Sequence, residues 1–290
     1  VRAVKRHLRG CKVGHTGTLD PMATGLLLVL VGQATKLARF LGQGRKRYVA
    51  RLQLGVETDT WDADGTPTVS RPVPLLEPEQ CRKVLAEFVG EVEQVPPAFS
   101  ALRVGGERMY AKARRGEKVR PRPRRVKIES IRLRSAGEDW LEIEVVCGPG
   151  TYIRSLAVDV ARRLGTVGHL SALRRLETGG FGLDRALDPE GLSRQSIEKN
   201  LIKLPELVGR FSPIALSDRH IRLLANGAAL PRRVLDGVLP DGFAGSGTFC
   251  FHDAGWSVAV MAECAIGGNG VWKMRILRVL KNVDEKASLV

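Results

Sequence analysis

Residues 14–21 read Gly-His-Thr-Gly-Thr-Leu-Asp-Pro and continue through Met22-Ala-Thr-Gly25 into an unbroken apolar stretch, Leu26 to Val31. Glycines that punctuate a loop, with a proline that closes it, can fix one side chain at a surface while a strand behind supplies rigidity. Asp20 is the side chain held in this way, and a fixed carboxylate is a candidate nucleophile. Asp before Pro is also an ordinary turn former, and the octapeptide alone fits either role. A second polar edge lies at Gly148-Pro-Gly-Thr-Tyr-Ile-Arg154, where a strand runs into a helix and Tyr152 and Arg154 fall on the first turn.

The elements that must position these groups follow from periodicity. Leu26–Val31 reads as a buried strand, stopped by Gly32, with a short helix over 33–41 closed by Gly42. Tyr48, Ala50, Leu52 and Leu54 alternate with Val49, Arg51 and Gln53, the pattern of a strand with one buried face. Pro78 opens a helix in which Cys81, Val84, Leu85, Phe88 and Val89 share one stripe and are expected in the core. Val126–Arg134 and Trp140–Cys147 read as a hairpin. The helix carrying Arg154 has an apolar stripe of Ile153, Leu156, Ala157, Val160, Ala161 and Leu164, ended by Gly165. Val1–Gly10 resembles the end of a basic helix with no initiator Met, so the natural N-terminus is expected to be missing.

At 290 residues, 43% of them hydrophobic, the chain is long enough for two domains with their own cores. No segment reaches the roughly 18 consecutive apolar residues of a membrane span, and no signal-peptide layout opens the chain; a cytoplasmic protein is expected. The five cysteines form no C-x-x-C pair and no disulfide framework. Cys250, His252 and Cys264 come nearest to a metal constellation but lack a fourth ligand, and read as strand residues. In residues 59–65, Asp-Thr-Trp-Asp-Ala-Asp-Gly, aligning Gly65 with the calcium-loop glycine puts Thr60 at the first ligand position and Arg71 where a bidentate Glu belongs, which excludes that motif. Phosphate-cradling glycine loops and the deaminase zinc signature are missing from the sequence.

Lys and Arg outnumber Asp and Glu by 46 to 31, a net charge of +15 that implies a polyanionic partner. From Pro213 onward nine basic and seven acidic residues leave +2, so the first 212 residues carry the other +13. Residues 112–127 hold nine basic residues, one acid and two prolines, which reads as an exposed extended loop for phosphate contact.

Taken together, the G-H-T-G-T-L-D-P-x-A-T-G-L-L block, Lys46-Arg-Tyr48, Thr58-Asp-Thr-Trp-Asp62-Ala-Asp-Gly, Gln94-Val-Pro-Pro-Ala-Phe-Ser-Ala, Gly150-Thr-Tyr-Ile-Arg154 and His169-Leu-Ser-Ala-Leu-Arg-Arg175 resemble the TruB family of tRNA pseudouridine synthases. The resemblance implies isomerisation of one uridine in the T-loop of tRNA, with no cofactor and no metal. It implies that Asp20 is the nucleophile, at either the sugar C1′ or the uracil C6, and that Arg154 pairs with it. Tyr48 would stack on the flipped uracil, with Tyr152 and Leu173 lining the pocket and His15 on the RNA side of the opened site. Lys36 and Asp62 match family positions as structural or RNA-positioning groups. Residues 112–127 fall where the family carries an insertion that closes over the RNA arm. Gly148-Pro149 departs from a common Ser-Lys, and the family's opening strand is absent.

The implied fold is α+β, a pseudouridine synthase domain with a mixed, largely antiparallel sheet over residues 1–212. A small C-terminal β-barrel resembling the PUA RNA-binding module follows over 213–290. The expected partner is the tRNA T-stem-loop, with no membrane and no obligate protein partner, and the expected state is a monomer. Two rival readings share parts of this pattern: a non-catalytic tRNA-binding or folding protein, and the catalytic subunit of a guide-RNA-dependent pseudouridylation particle.

Overall fold

Tyr48, Ala50, Leu52 and Leu54 are buried along the strand Lys46–Leu54 while Arg51 between them is exposed, so the period-two pattern turns one face inward. The computed structural model that establishes this describes residues 1–100, 103–104, 107–109, 115, 117, 121–240, 243, 245–267, 271–281, 283 and 288–289. Most of residues 112–120 in the expected basic loop lie outside the described residues. Its last part, from Arg124, belongs to a strand.

Two compact units are present: Gly17–Leu27 with Phe40–Ala186, and Val1–Thr16 with Leu28–Arg39 and Leu187–Val290. In the first, Lys46–Leu54 lies inside a seven-stranded sheet ordered Phe181–Gly182, Gly168–Thr178, Lys46–Leu54, Trp140–Cys147, Arg124–Ala136 and Gly90–Gln94. Thr24–Gly25 adds to Gly168–Thr178. That addition is parallel and the other pairings are antiparallel, the mixed sheet expected. Helices Pro78–Ala86 and Ile153–Arg163 lay Cys81, Val84, Leu85, Leu156, Ala157 and Val160 into its core. Val89 departs from expectation and is 44% exposed. The chain after Ala86 tightens into i→i+3 bonds, Phe88 to Leu85 and Val89 to Ala86, which rotates Val89 off the apolar stripe.

In the other unit, Val13–His15 pairs with Val29–Val31, which pairs with Ser288–Leu289, which pairs with Ile202–Lys203. Only Val29–Val31 of the apolar run 26–31 is strand. A second sheet places Pro213–Ala215 parallel to Ser246–His252, followed by antiparallel Val258–Ile266 and Trp272–Lys281. Helix Asp218–Ala225 seats Ile221 and Leu224 against Phe249, Phe251 and Val260 of that sheet. These strands are consistent with the PUA-like expectation, though no pairing among the described residues closes them into a barrel. The units do not follow the expected boundary at 212/213. Residues 1–16, 28–39 and 187–212 group with the C-terminal strands because pairings such as Leu30 with Leu289 join segments far apart in the chain.

Candidate active site

Asp20 reaches its place through the loop 17–27, which is docked on the strand Gly168–Thr178. Thr24 and Gly25 pair with Arg174 and Arg175, the Leu26 N–H donates to the Arg175 carbonyl at 2.8 Å, and the Ala23 N–H closes a turn on the Asp20 carbonyl at 2.9 Å. Gly25 is required for this: its φ is +91°, and an added Cβ would overlap the Arg175 carbonyl oxygen. The support behind Asp20 is therefore Gly168–Thr178, and not the Leu26–Val31 run that the sequence pattern proposes.

Arg154 comes from the first turn of helix Ile153–Arg163. Its backbone entry is fixed by Gln94, whose side chain accepts from the Tyr152 N–H at 3.1 Å and donates to the Tyr152 carbonyl at 3.2 Å. The Arg154 fork meets Asp20 with two bonds, Nε to Oδ2 at 3.1 Å and Nη2 to Oδ1 at 2.9 Å. Nη1 donates to the Thr60 carbonyl at 3.0 Å and lies 3.2 Å from Asp62 Oδ2, and Nη2 donates to the Phe99 carbonyl at 3.0 Å. Four of these are hydrogen bonds, and the approach to Asp62 is an ion pair. Arg154 thus holds both carboxylates and two backbone carbonyls at once.

Asp62 is delivered by the acid-rich turn 58–65. It accepts from Thr60 Oγ1 at 2.6 Å and from the Asp64 N–H at 3.2 Å, and its carbonyl accepts from Thr58 Oγ1 at 2.7 Å. Trp61 adopts a left-handed φ of 63°, rare for a bulky residue, and a Cβ on Gly65 would overlap the Thr60 hydroxyl. The segment whose spacing fails as a calcium loop is therefore a tight turn that aims one acid at Arg154.

The Asp20 side chain is 28% exposed, against 5% for Arg154 and 5% for Asp62. Burial raises the Asp20 carboxyl above its ordinary value; the charge and hydrogen bonds of Arg154 pull it down, and Asp62 and Asp64 push it up again. One guanidinium is shared between two carboxylates, so Asp20 is only partly neutralised. Among the described residues its outer lone pairs have no partner, and such lone pairs can accept a proton or attack carbon.

Tyr48 and Leu173 are 7% and 6% exposed and belong to one buried cluster. Tyr48 stands opposite Arg175 in the register between Lys46–Leu54 and Gly168–Thr178. Burial raises its phenol above the ordinary value, Arg175 opposes the shift, and the Asp20 charge reinforces it. Tyr152 caps the helix, with the Arg124 guanidinium 4.6 Å from its ring centroid and bonded to the Gly150 carbonyl. His15 and Lys36 belong to the other unit. His15 lies on Val13–His15 with a buried Nδ1 that has no partner among the described residues, and Lys36 Nζ donates to the Val279 carbonyl at 2.9 Å.

Two residues escape sequence reasoning. Gln94 is 2% exposed and clamps Tyr152. Arg175 is also 2% exposed; its Nε donates to the Leu26 carbonyl at 2.7 Å and its Nη2 to the Gly17 carbonyl at 3.3 Å. A signal existed for Arg175, since it falls two places beyond Leu173 and so shares that residue's inward face.

Among known proteins, residues 5–153 match the model of the TruB family pseudouridylate synthase N-terminal domain. A tRNA pseudouridine synthase B of Francisella philomiragia is 43% identical over 201 residues, 69% of this chain and 67% of that protein. One of Psychrobacter cryohalolentis is 38% identical over 79% of this chain, which spans 64% of that relative's length. One of Clostridium kluyveri is 37% identical over 79% of both. The fold also matches a chain in the crystal structure of a Cbf5-Nop10-Gar1 complex, with a TM-score of 0.68, 22% identity, and coverage of 97% of this chain and 79% of that one. With a family model covering more than half its residues and relatives near 40% identity over most of its length, this chain belongs to the TruB family of pseudouridylate synthases.

Proposed function

We propose that this chain converts a uridine in the T-loop of tRNA to pseudouridine, with Asp20 as nucleophile. Family membership supports the reaction class, and the names of the relatives support tRNA as the substrate. The observation that carries the reading is the grip of Arg154 on Asp20, backed by Asp62. In the isomerisation the N1–C1′ bond breaks, a C5–C1′ bond forms, the hydrogen on C5 leaves to solvent as a proton, and N1 takes up a proton in its place. An oriented carboxylate can attack C1′ or C6 to carry the base between the two connections. Arg154 favours the ionised carboxylate and aims it, and because its fork is engaged by Asp20 and two backbone carbonyls it is read as a positioning residue. A uridine inside a folded loop must be turned out to be reached, and Tyr48, Tyr152 and Leu173 are proposed to receive it. His15 and Lys36 are proposed as RNA contacts.

In the same reading, residues 1–212 carry catalysis and 213–290 act as an RNA-binding PUA-like module. The protein works as a cytoplasmic monomer, and no cofactor or metal is required. The test is purified protein alone with a T-stem-loop RNA labelled with tritium at uridine C5. Stoichiometric tritium release supports the proposal. Binding without release favours a tRNA-binding or folding protein, and release only with an added guide RNA favours a subunit of a guided particle.

A further inference from the structure

We propose that Arg175 is a positioning residue for this isomerisation, holding both ends of the Asp20 loop and fixing which way the Tyr48 hydroxyl offers its proton. The inference rests on the function proposed above. Arg175 is among the largest fully buried side chains of the protein, and no carboxylate pairs with it among the described residues. A buried guanidinium without a counter-ion is costly, and an apolar side chain would fill the same space more cheaply. Its placement accounts for its presence. The Arg175 N–H groups bond the carbonyls of Gly17 and Leu26, which flank Asp20 on either side, and its backbone pairs with Gly25 of the same loop.

On its other edge Arg175 is the direct cross-strand partner of Tyr48, and its charge opposes the rise that burial gives the phenol. Cross-strand partners share a face, so both side chains point into the same interior. A guanidinium can only donate, so in a contact between the two side chains the Tyr48 oxygen is the acceptor. The single phenolic proton must then be offered to a different acceptor. The Asp20 charge also acts on the Tyr48 phenol, and in this proposal the phenolic proton is offered on the Asp20 side. One side chain thereby couples the position of the carboxylate to the polarity of the ring beside it. One of the two register shifts in the same pairing falls between Arg175 and Glu177.

The experiment uses the full chain with Arg175→Met, which keeps the stem and removes every donor, and Arg175→Lys, which keeps the charge and loses the fork. Expected for Arg175→Met is a fall in kcat for tritium release of about 100-fold, with RNA affinity within about threefold of the parent. Arg175→Lys should recover part of the loss. In protein labelled with ¹³C at the tyrosine Cζ, the Tyr48 resonance, assigned by its disappearance in Tyr48→Phe, should shift in Arg175→Met at neutral pH. The Tyr152 resonance should stay in place. A residue that merely stabilises the fold would not move one tyrosine signal selectively, so an unmoved Tyr48 resonance in a folded variant overturns the proposal, as does an unchanged kcat. If Arg175→Met does not fold, Arg175→Lys is read by the same two measurements and decides in the same way. A parent that releases no tritium rejects the isomerase reading, and the Tyr48 resonance still decides whether Arg175 sets that hydroxyl.

Discussion

Two loops bring an aspartate to the same guanidinium, and they do it under opposite conditions. Asp20 sits on a loop sewn to a strand by backbone pairing through Gly25 and keeps 28% of its side chain in solvent. Asp62 sits in a tight turn built around a left-handed Trp61 and is sealed at 5%. Asp62 spends its oxygens on Thr60, Asp64 and Arg154, whereas among the described residues Asp20 receives side-chain bonds only from Arg154. The same residue type with the same partner is saturated in one place and open in the other. Openness, more than charge, is what favours Asp20 as the acid proposed to react and Asp62 as the one that holds Arg154.

The sharpest way to break this contrast is to neutralise each acid in turn. Asp20→Asn preserves the shape and removes the nucleophile's charge, so tritium release should fall on the order of 10⁴-fold or more with RNA binding within a few fold. Retained turnover would overturn the assignment. Arg154→Lys loses the two-pronged grip on Asp20 and the span to Asp62, and should cost about 10²-fold in kcat, read in single-turnover assays. Asp62→Asn retains one acceptor for Arg154 and should cost roughly tenfold. If Asp62→Asn were as damaging as Asp20→Asn, the two loops would not differ in kind.

The loops also differ in what the sequence discloses. The buried face of Lys46–Leu54 and the stripe of the Ile153–Arg163 helix are written in local periodicity, and both formed as read. The meeting of Asp20 with Arg154, 134 residues apart, leaves no local trace and was anticipated only through family resemblance. The turn 58–65 could be rejected as a calcium loop from spacing, yet nothing in its spacing names Arg154 as the target of Asp62. Arg175 was missed because a charged residue in a strand is ordinarily assigned to solvent. The boundary at 212/213 follows the PUA-like pattern and the lower charge beyond it, and neither registers that Val29–Val31 pairs with a strand near residue 289.

A smaller effect tests the docking of the Asp20 loop itself. Gly25→Ala forces a Cβ against the Arg175 carbonyl at a left-handed φ, and should lower unfolding free energy by about 2 kcal/mol or more, measured by urea denaturation. The matching change in the other loop, Gly65→Ala, should also destabilise, since its Cβ meets the Thr60 hydroxyl that bonds Asp62.

The smallest expected effect has the opposite sign. Burial raises the Asp20 carboxyl above its ordinary value in the folded protein, so the folded state binds that proton more tightly than the unfolded chain does. The stability Asp20 contributes is fully present below its ordinary value and is lost as pH rises through the raised one. At neutral pH the ionised acid is therefore a mild burden on the fold. Asp20→Asn, inactive, should melt about 1–3 °C above the parent at pH 7, and the gap should close as pH falls toward the ordinary carboxylate range. The acid limb of kcat in the parent should likewise lie above that range, because the reaction needs the ionised form. Asp62, already saturated by partners, should give no such gain: Asp62→Asn weakens bonds that the fold uses and is expected to melt lower than the parent. A melting point that rises for Asp20→Asn and falls for Asp62→Asn would separate the acid kept for chemistry from the acid kept for structure without measuring turnover at all.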